Sequence, residues 1–547
     1  MNTSNWAKFR RIETIILSIL LYSILLLYVY QFSKIANKPR SMEQDEIFYY
    51  MEAKAISAHN IYNTPISYDG FTSTIGNFGA HGICYPIKDG WLAKIFFQSQ
   101  DPPMVWNNFL ITMITMSLIL LFKAFSLNTR LKIALTVATN NILYTSTLSY
   151  MQEPIHFLLA LLALRLLYLL YHPSAPTMAS QKQVSNSRLN QLLWIIRRSI
   201  PNGNCRVGSF TSSYHPIRGS HERHLALYLI LIILAITFRY SWFIWGLGIL
   251  PLATNFKNFK KWTLIFIGLL TFGILINNFF VAPWPYVYEG GDASTFISGE
   301  KSTILDSLIT IWQKFTQHLK LFFTPDQIPA NTFMRYLFLA MLIINTWFAI
   351  VKRSRFTIAC TLIAWAYLFA CLAFYLLVAA NDLRILSSIN LLLTFSLIGT
   401  CNSYIFYPII AVQLLLFPAV IERRNNELIS LTCVDSPEVQ NSRKSSFSKI
   451  KELVTDIDAD NDVVIVLPIQ FVYFMSYYFV NFPLINDKDI PIHYSVIIAG
   501  QGFSKTHPPN YVFASQLIDD SNYKLIYSDK WMILYQILNN KLPISKY

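Results

Sequence analysis

The chain has 547 residues, of which 54% are hydrophobic, 15% aromatic and only 14% charged, with a positive mean hydropathy. This composition excludes an ordinary water-soluble globular protein, whose charged share is about 25%. The net charge of +14 fits basic loops that orient membrane segments, and no stacking aromatics surround the charges as a nucleic-acid surface would need, so no nucleic-acid partner is expected.

A helix crosses a bilayer core with about 20 apolar residues. On that measure eleven candidate spans follow in chain order, at 14–32, 105–122, 133–149, 154–171, 224–238, 240–254, 262–280, 333–351, 357–380, 385–400 and 403–421. The first run is too long for the core of a signal peptide and has no small-residue cleavage site before Lys34, so it reads as an anchor. Lys8, Arg10 and Arg11 precede it. If that end is cytoplasmic, the loops around Lys123–Lys132, 172–223, Lys257–Lys261 and Lys352–Arg355 are cytoplasmic too, and all are basic. The 172–223 segment carries seven Lys or Arg against Glu222 alone and is rich in Ser, Asn, Pro and Gly, the composition of a linker. The same alternation puts 33–104, 281–332 and 422–547 outside.

The expected architecture is a polytopic α-helical membrane protein with about 11 transmembrane helices over 1–421. It lies in the plasma (inner) membrane, multi-pass, with a cytoplasmic N-terminus. Residues 422–547 are expected to form a small extracytoplasmic α/β domain: KIKELVTDI reads as a helix, DVVIVLPI and YSVIIAG as strands, and YKLIYSDKWMILYQI as two β-rich runs. This part contains no glycine-rich phosphate loop. The six cysteines lie at scattered positions with no paired spacing, so neither a disulfide framework nor a zinc site is signalled.

The first external loop opens with SMEQDEIFYY. Ser41 and Gln44 have capping-box spacing, which predicts a helix beginning here with Asp45 and Glu46 in its first turn. First-turn acids are ordinary, yet other charges fall at the same external boundary: Glu153 before Pro154, Arg239 between two apolar runs, and Arg384 two residues after Asp382. A helix-dipole role, snorkelling and a local ion pair are the respective structural explanations. Jointly the four features point to chemistry. A carboxylate can deprotonate a hydroxyl, and a guanidinium holds phosphate through paired hydrogen bonds while remaining charged. Sugar transfer from a lipid phosphate needs both, with water kept away.

An apolar first helix, a long external loop opening with Asp-Glu, the HGICYP element further along it, a second external acid and boundary arginines resemble the GT-C superfamily of integral membrane glycosyltransferases. Within it the chain looks most like the bacterial protein-mannosyltransferase and aminoarabinose-transferase type. The resemblance implies a polyprenyl-phosphate-linked sugar as donor and a lipid, glycan or protein acceptor. It implies that Asp45 activates the acceptor hydroxyl with Glu46 supporting it, that Glu153 lines the site, and that Arg384 and Arg239 hold the donor phosphate. His81 and Tyr85 of HGICYP are substrate-side candidates, although His81 also fits a packing role. A divalent cation could meet Asp45, Glu153 and His81, but no spacing demands one and no cofactor is expected. The competing class is a secondary transporter with boundary charges lining a solute path. Against it stand the long external loops and the lack of similarity between the two halves.

Overall fold

A computed structural model of the chain describes residues 3–35, 45–59, 62, 67–68, 82–97, 103–172, 218–280, 304–325, 329–374, 384, 386–432, 463–465, 496–497, 511–514, 523–528 and 533–537. The protein is mostly helical. In chain order the α-helices are α1 (Thr3–Ile35), α2 (Asp45–His59), α3 (Cys84–Leu92), α4 (Met104–Leu120), α5 (Leu127–Ala138), α6 (Asn141–Thr147), α7 (Glu153–Tyr171) and α8 (Arg218–Phe238). A 3₁₀ helix at Tyr240–Leu252 precedes α9 (Phe256–Phe280), α10 (Ile304–Phe323), α11 (Pro329–Lys352), α12 (Arg355–Phe374), α13 (Ser387–Thr394) and α14 (Phe406–Thr432).

Among the described residues seven helices are long and apolar enough to cross a membrane, and three shorter apolar ones lie at Met104–Leu120, Tyr240–Leu252 and Ser387–Cys401. Among the described residues each expected span falls on helical structure, with residues 375–380 and 385 lying outside the described residues, but two differ in form. The run at 133–149 is two helices, because the Asn140 side chain accepts from the backbone N–H groups of Ile142 and Leu143 at 3.0 and 3.2 Å and starts α6 afresh. The run at 240–254 is a 3₁₀ helix, whose rise of about 2.0 Å per residue stretches so short a segment to roughly 26 Å. A π-helical turn, Phe395–Cys401, extends α13.

Two polar layers fix which helix ends lie together. At one end Glu13 of α1 pairs with Lys132 of α5 at 2.7 Å and accepts from Tyr407 at the start of α14. At the other, Gln31 of α1 donates to Asn425 of α14 at 2.7 Å, and Arg424 donates to the Leu148 carbonyl at 2.9 Å. Eighteen residues separate Glu13 from Gln31 along α1, a rise of roughly 27 Å and so about one hydrocarbon thickness. The helix ends followed by Lys123, Lys257 and Arg353 belong to the Glu13 side. The start of α2, the start of α7 and the end of α14 belong to the opposite side.

Helix α14 runs through residue 421 to Thr432. Beyond it the described residues are strands: β2 (Val463–Ile465), β3 (Val496–Ile497), β4 (Tyr511–Ala514), β5 (Tyr523–Ser528) and β6 (Ile533–Ile537), with β1 (Ser67–Tyr68) in the first loop. One sheet has the order β2-β4-β6-β5, with β2 parallel to β4 and the other pairs antiparallel; β1 pairs with β3. Four of these five strands fall in the runs expected to be strands, and β4 was not foreseen. The expected helix KIKELVTDI and most of the 172–223 linker lie outside the described residues.

Candidate active site

The site is built around one tight turn, Ser149–Glu153, between α6 and α7. Such a turn leaves its backbone groups without helix partners, and here side chains from several elements supply them. The buried Glu46 carboxylate of α2 accepts from the Tyr150 N–H at 3.1 Å. The Tyr85 hydroxyl of α3 lies 2.9 Å from both the Tyr150 and Met151 carbonyls and shares its one proton between them. Asn108 of α4 donates to the Ser149 and Met151 carbonyls at 2.8 and 2.7 Å. Gln152 donates to the Tyr49 hydroxyl at 2.8 Å, tying the turn to α2 a second time. Burial holds the Tyr85 phenol well above its ordinary value, with the nearby Asp89 charge pushing the same way, so the hydroxyl stays a donor.

The charged groups sit on this frame. Glu153 is 2% exposed and Arg239 5%. Arg239 is the single extended residue joining α8 to the 3₁₀ helix, and its Nη2 lies 3.9 Å from Glu153 Oε1. A cation at a helix N-terminus opposes the helix dipole, and the carboxylate offsets this. The gap exceeds a hydrogen bond, and Glu153 Oε2 has no hydrogen-bond partner among the described residues. The two charges therefore sit buried side by side without a direct hydrogen bond between them. Arg384 reaches the same turn from the other side, its Nη1 3.3 Å from Met151 Sδ.

Position 45 is the first described residue of α2 and shares a helical face with positions 49 and 52 at i+4 and i+7. The Asp45 side chain, His81, Ser41 and Gln44 lie outside the described residues. The HGICYP element docks through Gly82, whose backbone takes φ +152° against the Phe238 carbonyl immediately before Arg239. Beside it Thr237 donates to Cys84 Sγ at 3.0 Å. Glu46, Tyr85, Glu153, Arg239 and Arg384 thus gather around one turn, although they come from five separate stretches of sequence. Among the described residues no group of three His, Cys, Asp or Glu side chains could hold a metal ion.

Several contributors escaped sequence reasoning. Asn108, Tyr49 and Gln152 carry no motif. One turn below the ion pair, Trp242 Nε1–H donates to His156 Nδ1 at 2.9 Å. This bond leaves the proton of the neutral ring on Nε2. His156 follows Glu153 by three residues on α7, and Trp242 follows Arg239 by three, its backbone N–H donating to the Arg239 carbonyl at 3.1 Å. Glu153–Arg239 and His156–Trp242 are therefore two rungs between the same two elements, and Trp242 stacks on Trp245 at 4.9 Å. The i+3 spacing in EPIH and RYSW was the only available signal.

No family model matches the sequence, and no curated protein matches it. Solved structures of the Archaeoglobus fulgidus oligosaccharyltransferase are similar to the chain. The complex with zinc and sulfate is 13% identical with a TM-score of 0.40, covering 76% of this chain and 53% of that one. The apo form gives 11% and 0.41, over 76% and 56%. The complex with an inhibitory peptide and a dolichol-phosphate gives 13% and 0.37, over 75% and 56%. The chain thus spans little more than half the length of the structures it matches. Among the described residues the chain is mostly helical, with seven helices long and apolar enough to cross a membrane, and it is similar, at a TM-score of about 0.4, to the archaeal oligosaccharyltransferase.

Proposed function

We propose that the protein is a membrane glycosyltransferase of GT-C type that transfers a sugar from a polyprenyl-phosphate donor to an acceptor hydroxyl on the extracytoplasmic face. The observation carrying this reading is the convergence on the Ser149–Glu153 turn of an acid and two arginines distant in sequence, at the opposite end of α1 from Glu13–Lys132. Arg239 and Arg384 bind the lipid phosphate, staying charged as it departs with the electron pair of the broken glycosidic bond. Asp45 takes the proton of the acceptor hydroxyl as its oxygen attacks the anomeric carbon. Glu153 accepts a hydrogen bond from the acceptor or the sugar. Glu46, bonded to the Tyr150 N–H, works by positioning the turn. Burial of the pair excludes the water that would otherwise hydrolyse the donor.

The test is a proteoliposome assay with polyprenyl-phosphate-linked sugars, comparing the native chain with Asp45→Asn and Arg239→Ala. Donor consumption with formation of a new glycoside is expected, reduced at least about 100-fold by Asp45→Asn and weakened in donor affinity by Arg239→Ala. Native turnover in folded Asp45→Asn protein would remove the proposed base. Saturable uptake of a labelled solute without donor consumption would favour a transporter.

A further inference from the structure

Helix α10 lies in a segment where sequence reasoning placed only an external loop, and its surface divides into three lengthwise sectors. One sector is packed: Phe315 meets Phe369 of α12 with centroids 5.4 Å apart, and His318 Nδ1–H donates to the Leu372 carbonyl at 2.8 Å. The C-terminus is held by α11. Arg335 donates to the Leu321, Phe322 and Thr324 carbonyls at 2.9, 3.0 and 2.9 Å, satisfying orphan carbonyls with a cation at the negative end of the dipole. These contacts fall at the end of α12 remote from Arg355, on the same side as the candidate active site.

The other two sectors are open and differ in character. Ile309, Trp312 and Phe323 fall on one line and are 46%, 64% and 47% exposed. Thr316 is exposed within that line, and beside it run exposed Gln313, Gln317 and Lys320, with Leu321, 42% exposed, beyond them. With 20 residues the helix is about 30 Å long, yet it is not among the candidate spans. A spanning helix would present apolar groups all round, and a water-exposed one would not keep a large open aromatic line. The apolar line lies beside exposed aromatics of two candidate membrane spans: Tyr336 of α11, 40% exposed, donates to the Phe323 carbonyl at 3.1 Å, and Phe369 of α12, which meets Phe315, is 51% exposed.

We infer that α10 is an interfacial helix whose Ile309–Trp312–Phe323 line inserts at the headgroup and acyl boundary of the outer leaflet, while Gln313, Gln317 and Lys320 face the headgroups and water. The occupant is the lipid surface itself: the indole suits the interface and Lys320 can reach lipid phosphate. The inference is independent of the proposed transfer reaction.

The test uses the full chain in lipid nanodiscs, comparing tryptophan emission of the native protein with that of Trp312→Phe, the difference being the signal of Trp312. Lipids brominated near the headgroup should quench that difference signal at least about twofold more than lipids brominated near the chain ends, as the shallow depth of an interfacial helix requires. A nitroxide at Gln317→Cys should collide more readily with a water-soluble relaxation agent than with oxygen. An unquenched red-shifted Trp312 signal would place the face in water, and an unquenched blue-shifted one would mean that another protein surface covers it; either result overturns the inference.

Discussion

Gly82→Ala is the most demanding perturbation of the site, because the added methyl group touches none of the proposed reacting residues. An alanine Cβ would lie 2.1 Å from the Phe238 oxygen, 2.4 Å from the Phe238 carbon and 2.8 Å from the Thr237 oxygen. Carbon–oxygen contacts settle near 3.3–3.6 Å, so the two backbones must separate by roughly 1.2 Å. Both are main chain, and neither can turn aside as a flexible side chain would. The φ of +152° adds a backbone penalty for any residue with a Cβ. Overpacking and strain together cost on the order of 3 kcal/mol. The displaced carbonyl immediately precedes Arg239, so the guanidinium moves with it. A misplacement of about 1 Å can lower a rate about 100-fold, and that loss is expected in the proteoliposome transfer assay, with a lowered thermal midpoint in detergent. Gly268→Ala is the control, since nothing lies within 4 Å of its added Cβ. A Gly82→Ala protein with native midpoint and native turnover would refute the docking of HGICYP on α8 as the element that sets Arg239.

Tyr85→Phe removes the donor to two turn carbonyls and should cost about 1–3 kcal/mol. Because burial raises the folded-state value of this phenol, its contribution is complete below the ordinary value of 10.0 and falls as pH rises above it. The stability gap between native protein and Tyr85→Phe should therefore narrow in alkali, measurable by thermal melts across pH. His156→Asn keeps an acceptor near the Nδ1 position and should retain donor affinity. His156→Ala and Trp242→Phe should each raise the donor KM several-fold with a smaller change in kcat, and the double variant should show non-additive coupling. Glu13→Gln leaves Lys132 buried without its countercharge and should destabilise by about 2 kcal/mol. Its turnover per folded molecule should be unchanged, because that layer lies at the far end of α1.

The apolar runs, the helix at Asp45 and the asymmetry of basic loops were legible in the sequence because each follows from local chemistry. Bilayer thickness sets the length of a run, an acidic first turn marks a helix start, and basic residues collect at one set of helix ends. The break at Asn140 was written there too, as an asparagine within an apolar run, but continuous hydropathy concealed it. Helix α10 was missed for the opposite reason: its apolar residues are divided between a packed face and an open one, so no window reads as a span.

Only the tertiary structure decided what surrounds the turn at Ser149–Glu153. Glu46 and Tyr150 are 104 positions apart, and Arg384 and Met151 are 233 apart. No periodicity encodes such pairs, since their meeting depends on how helices pack side by side in a medium that gives apolar faces little preference among neighbours. The sequence by itself determined which segments are apolar enough to cross a bilayer and where the charged residues interrupt them. The packing of α2, α3, α4, α7 and the 3₁₀ helix decided that the buried charges gather around one turn, whose orphan backbone groups their side chains satisfy.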